Sequence, residues 1–163
     1  MSPSQTNKFG PKGLFGSYGA GIGAPLELAV EAPGVECFQL HVPEEKDLTP
    51  DWANRVKELI EPRGIQIARF VIGYSGPEGD QYDSPQRVLE TVGFGVPDHQ
   101  KRKARLELTK KYIRFGHEYL GVKDFNAHLG HVDPNNEFFN PMVEAVQECC
   151  DLTASWGGHY DVE

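Results

Sequence analysis

The chain has 163 residues and carries 24 acidic against 16 basic side chains, so its net charge is −8 at neutral pH. That balance argues against a nucleic-acid partner, since proteins that bind nucleic acids usually carry a basic surface stripe. No run of apolar residues approaches the ~20 that are needed to cross a membrane. Its length suffices for one globular domain with a real core. Residues 1–12 are polar, have no signal-peptide core and are predicted to be a flexible leader. The three cysteines fit a reducing compartment, so we expect a cytoplasmic protein.

Along the chain, segments in which apolar and polar residues alternate, as in strands, are followed by segments in which apolar residues recur at helical spacing. Strands are predicted at 14–19, 37–42, 65–74, 124–132 and 159–163. Helices are predicted to start at Pro25, Pro50, Asp98 and Asn140 and to stop at Pro33-Gly34, Pro62-Arg63-Gly64, Gly121 and Gly157-Gly158. The order βαβαβαβαβ predicts parallel strands joined by crossover helices.

Three further segments invite interpretation. The stretch from Ser75 to Pro97 is dense in Gly, Pro and Asp, and a connection of that length is usually a lid or disordered. The basic run from Lys101 to Arg105 is predicted to be a solvated helix face. Cys149 and Cys150 share helical spacing with core positions, so we expect them to be buried small hydrophobes.

Strand alternation indicates where the polar side chains point. In three strands an apolar set opposes a polar set: Phe38, Leu40 and Val42 against Gln39 and His41; Phe125, Ala127 and Leu129 against Asn126, His128 and Gly130; Tyr160 and Val162 against His159, Asp161 and Glu163. Arg69 shares a face with Ile67, Val71 and Gly73 in the third strand. An open doubly wound sheet is apolar on both faces, whereas a barrel can hold polar groups inside, near the C-terminal strand ends. An α+β domain with one solvated sheet face is the alternative.

His41, His128 and Glu163 fall at or near the ends of their strands. Imidazole and carboxylate together suit Zn, Mn, Fe or Co, and such an ion helps to remove a proton beside a carbonyl. Two or three ligands cannot complete a site, so the remainder must come from outside this chain.

Four pieces of the sequence carry a family resemblance: residues 92–97, which read Val-Gly-Phe-Gly-Val-Pro, the helix that begins near Arg102, the segment Ala127-His128-Leu129-Gly130, and the terminal Asp161-Val162-Glu163. With them the chain, from about Leu14 to Glu163, resembles the sugar phosphate isomerase/epimerase members of the xylose isomerase-like barrel superfamily. The resemblance implies an α/β fold, a parallel (β/α) barrel of TIM type. Residues 13–163 would form its N-terminal part, with about the first five strands and four helices, because a whole barrel takes about 250 residues.

The resemblance also implies roles for particular residues. Glu163 matches a metal-binding glutamate that ends strand five, and it would act in catalysis as well. His128 would bind the metal or the substrate, with a hydrogen-bonded interior histidine as the alternative. His41 and Tyr74 would contact substrate, although a structural role is favoured for His41, as for His131. The implied cofactor is a divalent Mn, Zn, Co or Mg ion, and the implied substrate is a sugar or sugar phosphate.

The reaction implied is aldose–ketose interconversion or epimerisation beside a carbonyl. Two other interpretations stay open. One is a metal-dependent phosphodiesterase like endonuclease IV of the same superfamily, which the acidic charge disfavours. The other is a non-catalytic half-barrel that associates with itself or with a partner, because the unpaired edges of a parallel sheet invite pairing.

Overall fold

Five strands and five helices make up the computed structural model, which describes residues 17–18, 26–31, 35–73, 84–130 and 133–162. The strands are β1 (Ser17–Tyr18), β2 (Cys37–His41), β3 (Gln66–Ile72), β4 (Asp124–Ala127) and β5 (His159–Val162). The helices are α1 (Leu26–Ala29), α2 (Pro50–Ile60), α3 (Pro85–Thr91), α4 (His99–Leu120) and α5 (Phe139–Ala154). Short 3₁₀ turns occupy Glu45–Asp47 and Glu61–Arg63.

The strands form one sheet in the order β1-β2-β3-β4-β5, and all four pairings are parallel. Crossovers between parallel strands are almost always right-handed. Because the order never reverses, every crossover helix falls on the same side of the sheet. A doubly wound sheet reverses its order at a switch point, and an α+β domain would have antiparallel pairs. The arrangement is therefore a sector of a (β/α) barrel, as the sequence predicts.

Local signals set the ends of the long helices. The Thr49 side chain accepts a hydrogen bond from the Trp52 amide at 3.2 Å, which caps α2. Asp98 does the same for α4, from the Lys101 amide at 2.9 Å. Gly121 ends α4 in the left-handed conformation, with φ of 67°. These predicted boundaries are confirmed.

The core lies between the sheet and the helices. One transverse row of the sheet joins Leu40, Phe70, Phe125 and Tyr160, which are 0–6% exposed. The α2 residue Trp52 stacks on Phe70 with ring centroids 6.1 Å apart. Burial of these side chains supplies most of the driving force for the layer packing. The apolar faces predicted for β2 and β4 are buried, as is Tyr160 on β5, whereas Val162 on β5 is 47% exposed.

Other expectations need correction. The segment Ser75 to Pro97 contains helix α3, capped by the Ser84 side chain, which accepts from the Arg87 amide at 3.2 Å. Sequence patterns missed it because seven residues give too few turns to show a period. Residues 75–83 of this segment lie outside the described part of the chain. The strand predicted at 124–132 ends at Ala127, where the chain turns to meet residues 92–97.

The basic run from Lys101 to Arg105 is not uniformly solvated. Arg102 and Arg105 are only 6% and 5% exposed, so the prediction of a solvated face is wrong for these two residues. They point inward because backbone carbonyls of the preceding loop accept their hydrogen bonds.

Of the two adjacent cysteines, Cys149 is fully buried as predicted, while Cys150 is partly exposed. Among the described helices, none is long and apolar enough to cross a membrane.

Candidate functional site on the lumen face of the sheet

The sheet face opposite the helix layer carries most of the polar strand residues, and we call it the lumen face because it would line the interior of a closed barrel. The register aligns His41, Val71, Asn126 and Asp161 in one row across β2 to β5. Gln39 and Arg69 are likewise register partners. The alternation of strand side chains places all of these on one face. The polar set predicted from the sequence is therefore brought together by the sheet.

Two side-chain contacts join strands across this face. Arg69 Nη2 lies 2.6 Å from Asp161 Oδ2, so the pair spans from β3 to β5 over β4. Beneath it, His159 Nδ1 lies 2.8 Å from Asp124 Oδ1. The Arg69 and Asp161 side chains are 38% and 41% exposed, so their charges remain solvated and the pair stabilises little by itself. Asn126 is 1% exposed in the same row as Asp161.

The C-terminal end of β4 is shaped by a close backbone contact with residues 92–97. The Gly95 amide donates to the Leu129 carbonyl at 2.9 Å. Gly93 has φ of +61°, and a Cβ there would overlap the carbonyls of His128 and Leu129. The Val-Gly-Phe-Gly-Val-Pro segment and the Ala-His-Leu-Gly segment are therefore in direct backbone contact. Because Gly93 has no side chain, the backbone of His128 and Leu129 can approach it closely.

The four predicted site residues fall in different situations. His41 is the last residue of β2, half-buried in the row with Asn126 and Asp161. His128 directly follows β4 and its side chain is exposed at the C-terminal end of the strand. Tyr74 and Glu163 lie outside the described residues, as does His131. The catalytic, substrate and metal roles given to all of them therefore stay predictions.

The described side chains do not fit a metal centre by themselves. Among them, no three His, Cys, Asp or Glu residues come together. The two carboxylates of the lumen face, Asp161 and Asp124, already contact Arg69 and His159. An arginine bound to a carboxylate competes with a divalent cation for the same oxygens. Any metal centre on this face would therefore need ligands from outside the described residues.

The sequence placed Asp161 on a polar strand face and Arg69 on a face shared with Ile67, Val71 and Gly73, but it did not pair the two residues. Their contact depends on the register of three strands, because β4 separates the two residues. An arginine within the otherwise apolar residues 67–72 is the signal that could have drawn attention to this pair. Arg102 and Arg105 were also missed, for a different reason. Their acceptors are backbone carbonyls, which leave no trace in residue types.

The described residues have the fold of part of a (β/α) barrel, and solved xylose isomerase-like proteins share that fold. A xylose isomerase domain protein from Planctomyces limnophilus superposes with a TM-score of 0.79 at 21% identity, over 91% of this chain and 51% of its own. D-psicose 3-epimerase with D-tagatose from Clostridium cellulolyticum H10 gives 0.60 at 15%, over 90% and 50%. The 3-keto-D-glucoside 4-epimerase from E. coli gives 0.61 at 15%, over 93% and 56%.

Those identities establish similarity of fold. The chain spans about half the length of these solved structures, which agrees with the prediction of a partial barrel. No protein-family model and no curated protein sequence matches it.

Proposed function

We propose that this chain is the N-terminal part of a sugar isomerase or epimerase that moves a proton on the carbon beside a carbonyl. The observation that carries the proposal is the row of hydrogen-bonding side chains on the lumen face, with His128 at its C-terminal edge. Active sites of (β/α) barrels lie at that edge. Two of the solved proteins with a similar fold, D-psicose 3-epimerase and 3-keto-D-glucoside 4-epimerase, are epimerases, which supports the same reaction class.

The lumen-face side chains suit a polyhydroxylated substrate. Asp161 offers acceptor oxygens, Arg69 offers several donors, and His41 offers one nitrogen of each kind when neutral. A sugar hydroxyl both donates and accepts, so adjacent groups of both kinds hold it well. Under the proposal these residues orient the sugar, while Tyr74 supplies apolar contact to its ring. His128 contacts the substrate near the reacting carbon.

The proposal includes a divalent ion, Mn, Zn, Co or Mg, with Glu163 and His128 among its ligands. When bound, such an ion polarises a carbonyl or hydroxyl oxygen of the substrate. Under the proposal Glu163 would take or return the proton, a role for which carboxylates are common. The remaining ligands must come from side chains that the described residues do not supply.

A second candidate is association through the sheet edges, with another copy or a complementary partner. β1 and β5 are the outer strands of the described sheet. On β5, Val162 is 47% exposed on the side that the helices cover elsewhere. An exposed apolar residue on an outer strand favours a covering element. A phosphodiesterase finds less support, because the chain carries a net charge of −8.

Solvent exchange at the substrate's reacting carbon tests the first candidate directly. The chain, and separately the longest open reading frame that contains it, is incubated in D₂O with a ketohexose and Mn²⁺, Co²⁺ or Mg²⁺. NMR then follows deuterium entering the carbon beside the carbonyl. We expect metal-dependent exchange in the longer protein, lost in Glu163→Gln and kept in Glu137→Gln, an exposed control. No exchange in either protein overturns the proposal.

Size-exclusion chromatography tests the second candidate on the same preparations. Association predicts that the chain elutes at twice its 18.1 kDa mass or more. Val162→Lys on β5 would then shift it toward the monomer. A monomer at all concentrations contradicts self-association.

A further inference from the structure

Two buried arginines on one face of α4 bind the backbone of residues 93–96. Arg102 donates from Nε to the Phe94 carbonyl at 3.0 Å and from Nη2 to the Val96 carbonyl at 2.7 Å. Arg105 donates from Nη1 to the Gly93 carbonyl at 3.0 Å. We call this set of contacts the arginine clamp. Burying a guanidinium is costly unless it is hydrogen-bonded. The burial of these two side chains therefore depends on their hydrogen bonds to the loop.

Aromatic packing adds to the clamp. The Arg102 guanidinium carbon lies 5.7 Å from the centroid of the Phe138 ring, just before α5. That distance allows a cation–π contact. The planar guanidinium is therefore in contact with one ring and hydrogen-bonded to two carbonyls. Its orientation is fixed in a way that a flexible ammonium group would not reproduce.

The clamped loop is in turn the support of the turn that carries His128. The Gly95 amide donates to the Leu129 carbonyl. A Cβ at Gly93 would overlap the His128 carbonyl, and a Cβ at Gly130 would overlap the Val92 carbonyl. Backbone thus lies against backbone over three consecutive residues of the turn. A shift of the loop moves that turn, because no side chain lies between them to absorb the displacement.

We propose that Arg102 and Arg105 are positioning residues for His128, acting through residues 93–96. They fix where the imidazole projects at the C-terminal end of β4, although neither touches it in the contacts described above. The catalytic part of this inference rests on the proposed function, since it takes His128 to contact substrate or metal. The structural part stands on the clamp alone. Site geometry has to be held closely for catalysis.

Amide hydrogen exchange and histidine NMR on the full chain test the structural part of the inference, because neither measurement requires catalytic activity. The variants are Arg102→Met and Arg105→Met, with Arg114→Met as a matched control, since Arg114 is an exposed arginine of the same helix. We expect the Gly95 amide to exchange about tenfold faster or more in the clamp variants, because losing a charge-assisted hydrogen bond favours local opening. The ring signals of His128 should move in the clamp variants and stay in the control.

Circular dichroism establishes that each variant is folded. If the methionine variants do not fold, Arg102→Lys and Arg105→Lys take their place, because lysine keeps the charge but cannot span two carbonyls. Folded clamp variants with wild-type Gly95 exchange and wild-type His128 signals overturn the inference. Gly93→Ala should produce the same His128 changes from the other side of the contact, and its effect should not add to that of Arg105→Met.

Kinetics separate this inference from the proposed function. In a protein that catalyses ketohexose exchange, Arg102→Lys should lower kcat by about tenfold with little change in KM, as expected of a misplaced catalytic group. Suppose that the clamp variants change the His128 signals but the wild-type protein catalyses no deuterium exchange into a ketohexose. The positioning role then stands, and the proposed function is overturned. Exchange activity that the clamp variants retain in full overturns the positioning role instead.

Discussion

Gly116 allows α4 to lie against the sheet, and replacing it by alanine measures how tight that contact is. A Cβ at this position would lie 2.6 Å from Phe70 Cδ1 and 2.8 Å from Phe125 Cε1. Both rings are fully buried, so neither can move away freely. Overpacking a core typically costs 1–3 kcal/mol, and the upper end, about 3 kcal/mol, fits two fixed rings. Better helix propensity returns about 1 kcal/mol.

The net expectation for Gly116→Ala is a loss of about 2 kcal/mol in the free energy of unfolding. Urea unfolding followed by fluorescence measures it, since Trp52 stacks on Phe70. Gly73→Ala is the control: a Cβ there meets nothing within 4 Å, so the substitution should change stability by no more than about 0.5 kcal/mol. A Gly116→Ala protein as stable as the control would refute the close packing of α4 on the sheet.

Three further measurements probe other parts of the structure. Asp161→Asn should lower the free energy of unfolding by less than about 1 kcal/mol, because its pair with Arg69 is more than a third exposed; a loss above about 3 kcal/mol in thermal unfolding would contradict that. Burial raises the pKa of Tyr112, whose hydroxyl donates to the Pro43 carbonyl at 3.0 Å, to about 12. Its contribution to stability is therefore complete below pH ~10 and is lost as the pH rises toward 12, and Tyr112→Phe should flatten this alkaline loss in pH-dependent unfolding. Burial likewise raises the pKa of Cys149 to about 12. Iodoacetamide at pH 8 should therefore modify this thiol only after unfolding, which mass spectrometry detects.

Much of the architecture follows from local patterns in the chain. A period of two placed Phe38 and Leu40 opposite Gln39 and His41, and the burial of the first pair agrees with it. Thr49 and Asp98 mark helix starts because their short oxygens satisfy amides within their own turn. Such signals need only a few consecutive residues. Strand and helix alternation, the parallel sheet and its polar face could therefore be predicted without coordinates.

The arrangement of the candidate site depended on contacts between residues distant in sequence. Arg69 and Asp161 meet over an intervening strand, and only the register decides which residues of parallel strands are neighbours. Arg102 and Arg105 read as members of a charged run, yet carbonyls of a loop draw them inward. Backbone acceptors look the same at every position of a sequence. The sequence by itself determined the sheet and its polar face, whereas tertiary structure decided which charges pair there and which two arginines are buried.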